Sequence, residues 1–312
     1  MSLCEADPVL EPTIEPDETP AFADPYSILA CPGGKGRLRK EGDRLVADDG
    51  RDFPIENRIV RMLESIDPAL AAELASQDAA REIYLDDRLV VMRYQRKLAQ
   101  ILVEELLDGV RGTILDAGCG IGLLGSSYPE LGLYGVDASF ALLKEADRGY
   151  RLRAECSAES LPFADASFDA VLAQNMLHHV ISPERAIEEF ARVIAPGGLL
   201  VTLDPRKVAP IEFAKGLVRK TDAAFAPSHK AFSLDEYQAL VTSSGAFEVE
   251  EIHCTGLIAP IVVGILERFR ALSRHIPAPN LVLEALLQAD RALSLAPVMP
   301  AGLNMALRAR RK

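Results

Sequence analysis

Short apolar runs separated by polar stretches divide the chain into regions of different period. Between Tyr26 and Glu64 the apolar residues come in β-like pieces punctuated by Gly and Asp: Ser27-Ile-Leu-Ala-Cys-Pro, Gly36-Arg-Leu-Arg, Arg44-Leu-Val-Ala, Phe53-Pro-Ile and Ile59-Val-Arg-Met-Leu63. From Pro68 to Asp108 the pattern turns helical, with Leu89, Val90, Tyr94, Leu98, Ile101, Leu102 and Leu106 on one face. From Thr113 the runs shorten again. Thr113-Ile-Leu-Asp-Ala ends in an acidic residue and the turn Gly118-Cys-Gly-Ile-Gly122, and Leu133-Tyr-Gly-Val-Asp137 is a second run ending in a carboxylate. A strand, a glycine turn and an acidic residue about 20 positions on predict a doubly wound α/β sheet with a nucleotide at the strand ends.

Gly118, Gly120 and Gly122 lack a Cβ, so the backbone can take positive φ and a ligand can lie against the peptide groups. Asp137 can accept both hydroxyls of a ribose. A dinucleotide fold would prefer Gly-x-Gly-x-x-Gly, with a pyrophosphate at the helix start. Here Asp116 stands before the glycines. A carboxylate there would repel a pyrophosphate and suits a ligand with an ammonium and a sulfonium.

Three further motifs follow in order: Leu161-Pro-Phe-Ala-Asp-Ala-Ser-Phe-Asp169, Val171-Leu-Ala-Gln-Asn-Met-Leu-His-His-Val180 and Ala195-Pro-Gly-Gly-Leu-Leu-Val-Thr-Leu203. With them, the stretch from Thr113 to Asp204 resembles the class I S-adenosylmethionine-dependent methyltransferases of the type 11-like group. The resemblance implies an α/β fold with a seven-stranded Rossmann-like sheet, mostly parallel with the last strand antiparallel, and S-adenosyl-L-methionine as cofactor. By position it implies that Asp116, Ala117, Gly118, Gly120 and Gly122 hold the methionine moiety and that Asp137, with Ala138 beside it, holds the ribose. Ser157, Ala158 and Glu159 then lie beside the adenine, and Gln174 lies near the transferred methyl. Ser157 stands where the family often has Asp, so either Ser157 or Glu159 accepts from the adenine amino group. Residues 246–253 and 303–308 are expected as strands six and seven. Residues 205–245 read as loop, helix, loop and helix, the last capped by Ser233 with carboxylates in its first turn. Residues 257–298 read as a helical insertion over the substrate mouth.

The domain organisation expected is an acidic leader (1–25), a small β-rich module (26–64) and a methyltransferase domain (65–312). The last comprises a helical cap (68–108), a cofactor core (112–204) and substrate-side helices (205–245 and 257–298). Residues 1–25 carry seven acidic groups, five prolines and no basic group, a composition that predicts disorder. The module resembles the zinc-ribbon-like tRNA-methyltransferase activator family, whose pattern runs from Leu-x-Cys-Pro to Tyr-Pro-Ile. A structural zinc needs four ligands, usually in Cys-x-x-Cys pairs. Cys31 is alone, Gly34 stands where a partner would sit, and no zinc is expected.

Formal net charge is −12, from 46 acidic and 34 basic side chains, which argues against broad contact with a phosphate backbone. Cys4, Cys31, Cys119, Cys156 and Cys254 are scattered without the pairing of a disulfide framework, so a reducing cytoplasm is expected. No export signal is read at the start, and the apolar run from Leu257 to Leu266 is too short to span a bilayer.

His178 and His179 stand where a general base would be useful, and the reference pKa of histidine, near 6.5, suits that role. Sugar and natural-product O-methyltransferases of the family have a similar His-His pair, helped by an acidic residue after strand five, where this chain has Asp204. A histidine that only caps and packs is the alternative reading. His229 is a second candidate, and no cluster has the ligand spacing of a metal site. The function expected is methyl transfer to a small molecule, most readily at oxygen, on a sugar-bearing or lipid-like metabolite. The alternatives are an RNA or protein methyltransferase that uses the module for recognition, and a cofactor-binding partner without catalysis.

Overall fold

The computed structural model describes residues 24–33, 36–86, 89–107, 110, 112–146, 149–208, 231–268, 275–276, 279–294 and 302–312. The leader expected over residues 1–25 lies outside them except for Asp24 and Pro25, as do His229 and most of the loop and first helix expected after Asp204. The strands of the α/β core are β5 (Ile114–Ala117), β6 (Leu133–Asp137), β7 (Tyr150–Glu155), β8 (Phe168–Gln174), β9 (Ile194–Pro205), β10 (Phe247–Thr255) and β11 (Asn304–Arg311). They pair in the order β7-β6-β5-β8-β9-β11-β10, parallel from β7 to β9 and antiparallel through β11 and β10. The central strands are buried on both faces: every residue of β5 is buried, as are four of the five in β6. The seven strands have the expected mostly parallel arrangement.

The sheet does not stop there. The module's strands β1 (Leu38–Lys40), β2 (Arg44–Ala47), β3 (Asp52–Glu56) and β4 (Ile59–Arg61) form an antiparallel meander whose last strand pairs in parallel with β7. The result is one eleven-stranded sheet where seven strands were expected. Ile59, Val60 and Met62 are buried at this junction. Arg61 pairs with Glu155 at the end of β7 and lies 4.0 Å from the Phe140 ring centroid. The first β-like piece is also corrected. Pro25 fixes φ at a helix start and the Asp24 side chain accepts from Tyr26 N, so residues Pro25–Ile28 form a 3₁₀ turn. Leu29 and Ala30 follow as isolated bridges to Phe163 and Arg37.

The cap is α1 (Pro68–Tyr84), α2 (Val90–Ile101) and a π-helical turn, Leu102–Leu106. Short helices α3 (Leu123–Ser127) and α4 (Phe140–Leu143) follow β5 and β6, and α5 (Pro183–Val193) connects β8 to β9. Helix α6 (Leu234–Thr242) opens on the expected Ser233 cap, with Glu236 completing a capping box. The insertion before the last strand is helical as read: α7 (Ile258–Arg268) and α8 (Pro279–Ser294). Asp290 of α8 accepts from the backbone N–H of Leu257, Ile258 and Ala259, so one helix caps the start of the other.

Cys31 is buried, burial pushes its thiol pKa up, and a Cβ at Gly36 would come within 3.4 Å of its sulfur. Among the described residues no group of three or more His, Cys, Asp or Glu could hold a metal ion. Protein purified without chelator or affinity tag is expected to carry well under one zinc per chain by metal analysis. Stoichiometric zinc lost on replacing Cys31 would overturn this.

Candidate functional site

The site is built where β5, β6, β8 and β9 end. The chain leaves β5 at Ala117 and turns through Gly118, at φ +70°, and Gly120, at φ +52°. A Cβ on Gly118 would lie 2.6 Å from Met176 Cβ, so only glycine fits there. A Cβ on Gly120 would have no neighbour within 4 Å, which leaves an open cradle against the backbone. Asp137 closes this cradle from the side. Its Oδ2 accepts from Gly120 N and its Oδ1 from Ser139 N, each at 2.8 Å, and burial nevertheless raises its pKa. Ala138 lies between these contacts.

Asp116 is buried beneath the turn. Burial pushes its carboxyl up to about 7, although the Tyr150 hydroxyl donates to Oδ2 at 2.6 Å and favours the ionised form. On the other side, Ser157 Oγ accepts from Glu159 N at 3.1 Å, and Ala158 packs against the core. Glu159 Oε1 accepts from Ser182 N at 3.0 Å, so this carboxylate is engaged at the start of α5. Gln174 ends β8, and its Nε2 donates to the Gln95 carbonyl of α2 at 3.0 Å. Asn175 follows at φ +51°, a conformation that asparagine tolerates, and donates from Nδ2 to Gln95 Oε1 at 2.5 Å.

His178 and His179 occupy the turn after β8, their ring centroids 4.0 Å apart. His178 Nδ1 lies 2.6 Å from Oδ1 of Asp204, a fully buried residue of β9. Asp204 Oδ2 accepts from the Tyr237 hydroxyl at 2.8 Å. His179 Nδ1 lies 2.8 Å from Oε1 of Glu73, which also accepts from Gln77 Nε2 at 3.2 Å. Burial lowers the His178 pKa against the opposing pull of Asp204, with a protonated His179 adding to the fall. The histidines and Asp204 therefore come together, and the field of His179 reaches Asp137 at the cradle.

Residues 115–202 match the model of a family described as a methyltransferase domain. A ubiquinone/menaquinone biosynthesis C-methyltransferase of Syntrophotalea carbinolica is 32% identical over 128 residues, 38% of this chain and 54% of that one. A malonyl-[acyl-carrier protein] O-methyltransferase of Legionella pneumophila is 32% identical over 135 residues, 39% of this chain and 48% of that one. The chain thus spans about half the length of these curated relatives. In fold it is similar to a SAM-dependent methyltransferase of Thermotoga maritima, at a TM-score of 0.52 and 19% identity, covering 78% of this chain and 99% of that one. The chain carries a class I methyltransferase domain.

Four residues of the domain's site escaped sequence reasoning: Glu73, Gln95, Tyr150 and Tyr237. Each is a partner of a motif residue, reached from another element, and no local spacing announces it. Glu73 had one signal, being a carboxylate on the face of α1 that the fold buries. Tyr94, read on the apolar face of the cap, is buried in the core and accepts from Asn304 Nδ2 at 2.8 Å.

The Asp116 carboxyl has a reference value of 3.8 and is raised to about 7 in the folded chain. Between these values the folded domain holds a proton that the unfolded chain releases, so this group's contribution to stability falls as pH rises from about 4 to about 7. Asp116→Asn is expected to remove that downward slope from the pH profile of the thermal midpoint, measured without ligand. An unchanged slope would show that Asp116 does not titrate there.

Proposed function

We propose that the chain transfers a methyl group from S-adenosylmethionine to a hydroxyl of a small molecule, with sugar-bearing or lipid-like metabolites as the acceptor class. The observation that carries this reading is the His178–Asp204 pair, 2.6 Å between Nδ1 and Oδ1, at the same strand ends as the glycine cradle. When bound, the cofactor supplies a methyl group on a positively charged sulfur. The cradle fits its adenosyl part: Gly120 leaves open backbone, and Asp137 offers a carboxylate beside it for ribose hydroxyls. Asp116 and Asp137 make the pocket favourable to a cation, because burial disfavours their charges until a positive group arrives.

A hydroxyl acceptor is a poor nucleophile until its proton leaves, and a positioned base contributes typically 10²–10⁴-fold. An ionised carboxylate can only accept, so Asp204 accepts a hydrogen bond from Nδ1–H of neutral His178. That tautomer leaves the lone pair on Nε2, where it can receive a hydroxyl proton, and Asp204 then stabilises the imidazolium. Burial keeps His178 neutral at physiological pH. His179, held by Glu73, is assigned to the cofactor side, and Gln174 and Gln95 to positioning near the methyl. The exposed apolar residues Ile261, Ile265, Leu281 and Val282 of α7 and α8 support an acceptor with apolar surface. No described helix is long and apolar enough to cross a membrane.

Calorimetry is expected to detect binding of S-adenosylmethionine or S-adenosylhomocysteine, and Asp137→Ala to weaken it by about 1–3 kcal/mol, the cost of unpaired buried polar groups. Tighter binding of NAD than of either would sink the cofactor assignment. On an identified hydroxyl acceptor, His178→Ala is expected to lower kcat by roughly 10²–10⁴-fold with cofactor affinity nearly unchanged. Near-normal turnover would make the pair structural and leave alignment beside the methyl group to carry the rate.

A further inference from the structure

Helix α6 buries Tyr237, Leu240 and Val241. Two of these are apolar, as a core face requires. Tyr237 is fully buried and brings a hydroxyl into the same interior, where a phenylalanine would fill nearly the same space without a polar atom to satisfy. Its hydroxyl donates to Oδ2 of Asp204 at 2.8 Å, and the other oxygen of that carboxylate holds His178 Nδ1 at 2.6 Å. Three side chains from α6, β9 and the turn after β8 therefore form one line. The start of α6 is fixed next to this line. Phe232 packs on the Tyr237 ring with centroids 5.7 Å apart, its carbonyl accepts from Lys207 N at 2.7 Å, and it bridges Arg206 just beyond β9.

We propose that Tyr237 is a positioning residue which, through Asp204, sets the proton affinity of His178. This rests on the reading of His178 as the base. The phenol fixes the plane of the carboxylate so that Oδ1 faces Nδ1, and it draws part of the negative charge towards Oδ2. The other groups facing the pair are His179 in the same turn, Glu73 from α1, and the His178 backbone N–H, which donates to Oδ1 at 3.4 Å. Without the phenol, the whole carboxylate charge falls to His178. The pair then binds its proton more tightly, whichever of the two carries it.

The test follows the histidine rings of the full-length chain by nitrogen NMR across the histidine titration range, with the His178 signals assigned by their loss in His178→Gln. In the native chain His178 is expected in the Nδ1–H tautomer. Tyr237→Phe should raise its apparent pKa by about half a unit or more and keep the Nδ1–H tautomer. Placing 3-fluorotyrosine at position 237 keeps the ring carbons and the hydroxyl, exchanges one ring hydrogen for fluorine and makes the phenol more acidic, so it should move the pKa the opposite way and remains informative if the Phe variant folds poorly. Tyr128→Phe, which removes a hydroxyl that donates to surface Glu104, should leave His178 unmoved. Shifts of the same sign in both position 237 variants, or none in either, would overturn the proposal. Because these readings need neither acceptor nor turnover, a chain that never methylates a hydroxyl would sink the proposed function separately. With an acceptor in hand, Tyr237→Phe should move the acidic limb of kcat to higher pH and leave KM for S-adenosylmethionine unchanged.

Discussion

A carboxylate buried at the end of a strand must be given donors, and that requirement organises the site more than any other. Asp116, Asp204 and Glu73 are all buried, and Asp137 lies among them at the end of β6. An unpaired buried charge costs several kcal/mol, so each carboxylate recruits partners from elsewhere in the chain. Asp116 takes Tyr150 from β7, and Asp137 takes the backbone of the glycine turn. Asp204 takes His178 and Tyr237, and Glu73 takes His179 and Gln77. These bonds tie the cap, four strands and α6 to one point. The geometry of the cradle and of the base is thereby a consequence of polar satisfaction at the ends of a parallel sheet.

The same logic separates what the sequence made legible from what it did not. The strands β5, β6, β8 and β9 announce themselves because a strand buried on both faces is apolar along its central run, whereas β7, with two arginines and a glutamate in six residues, does not; the turn at Gly118 is fixed because Met176 leaves no room for a side chain. Asp137 and the His-His pair were readable as chemistry at strand ends. Tyr150 and Tyr237 were not, since an aromatic on an apolar face reads as core until its hydroxyl is seen to reach a carboxylate. Glu159 shows the opposite case. A carboxylate beside the expected adenine segment gives one oxygen to Ser182 N at the start of α5, as the Ser157 hydroxyl oxygen accepts from Glu159 N, so both are tied into local structure.

The module illustrates how a local reading of strands leaves their assembly open. Its strands were legible from alternation and turn residues, yet nothing in Ile59-Val-Arg reveals that the strand pairs with β7 rather than closing a separate unit. The pairing is favoured by the exposed ladder of β7, which would otherwise be an open edge. Burial of Ile59, Val60 and Met62 and the Arg61–Glu155 pair add side-chain contacts to the backbone ladder. Backbone bonds from the module reach both β7, along which β4 runs, and the segment after it, where Ala30 N and Gly33 N donate to the carbonyls of Pro162 and Leu161. The module is thus bonded through its backbone both to β7 and to the segment expected to lie beside the adenine.

A site built from carboxylates also has a direction in which it favours change. Under the proposed reaction, the reactant carries a positive sulfur and the product does not, so the electrostatic attraction of Asp116 and Asp137 weakens once the methyl has moved. Their burial magnifies this difference, because charges in a low-dielectric pocket interact more strongly than in water. A proton taken by His178 would place a positive charge beside Asp204, while the cofactor would give up its sulfonium charge with the methyl group. Charge is therefore shifted between two carboxylate-lined positions with little net change, and the acidic lining that binds the cofactor also accommodates the protonated base that turnover leaves behind.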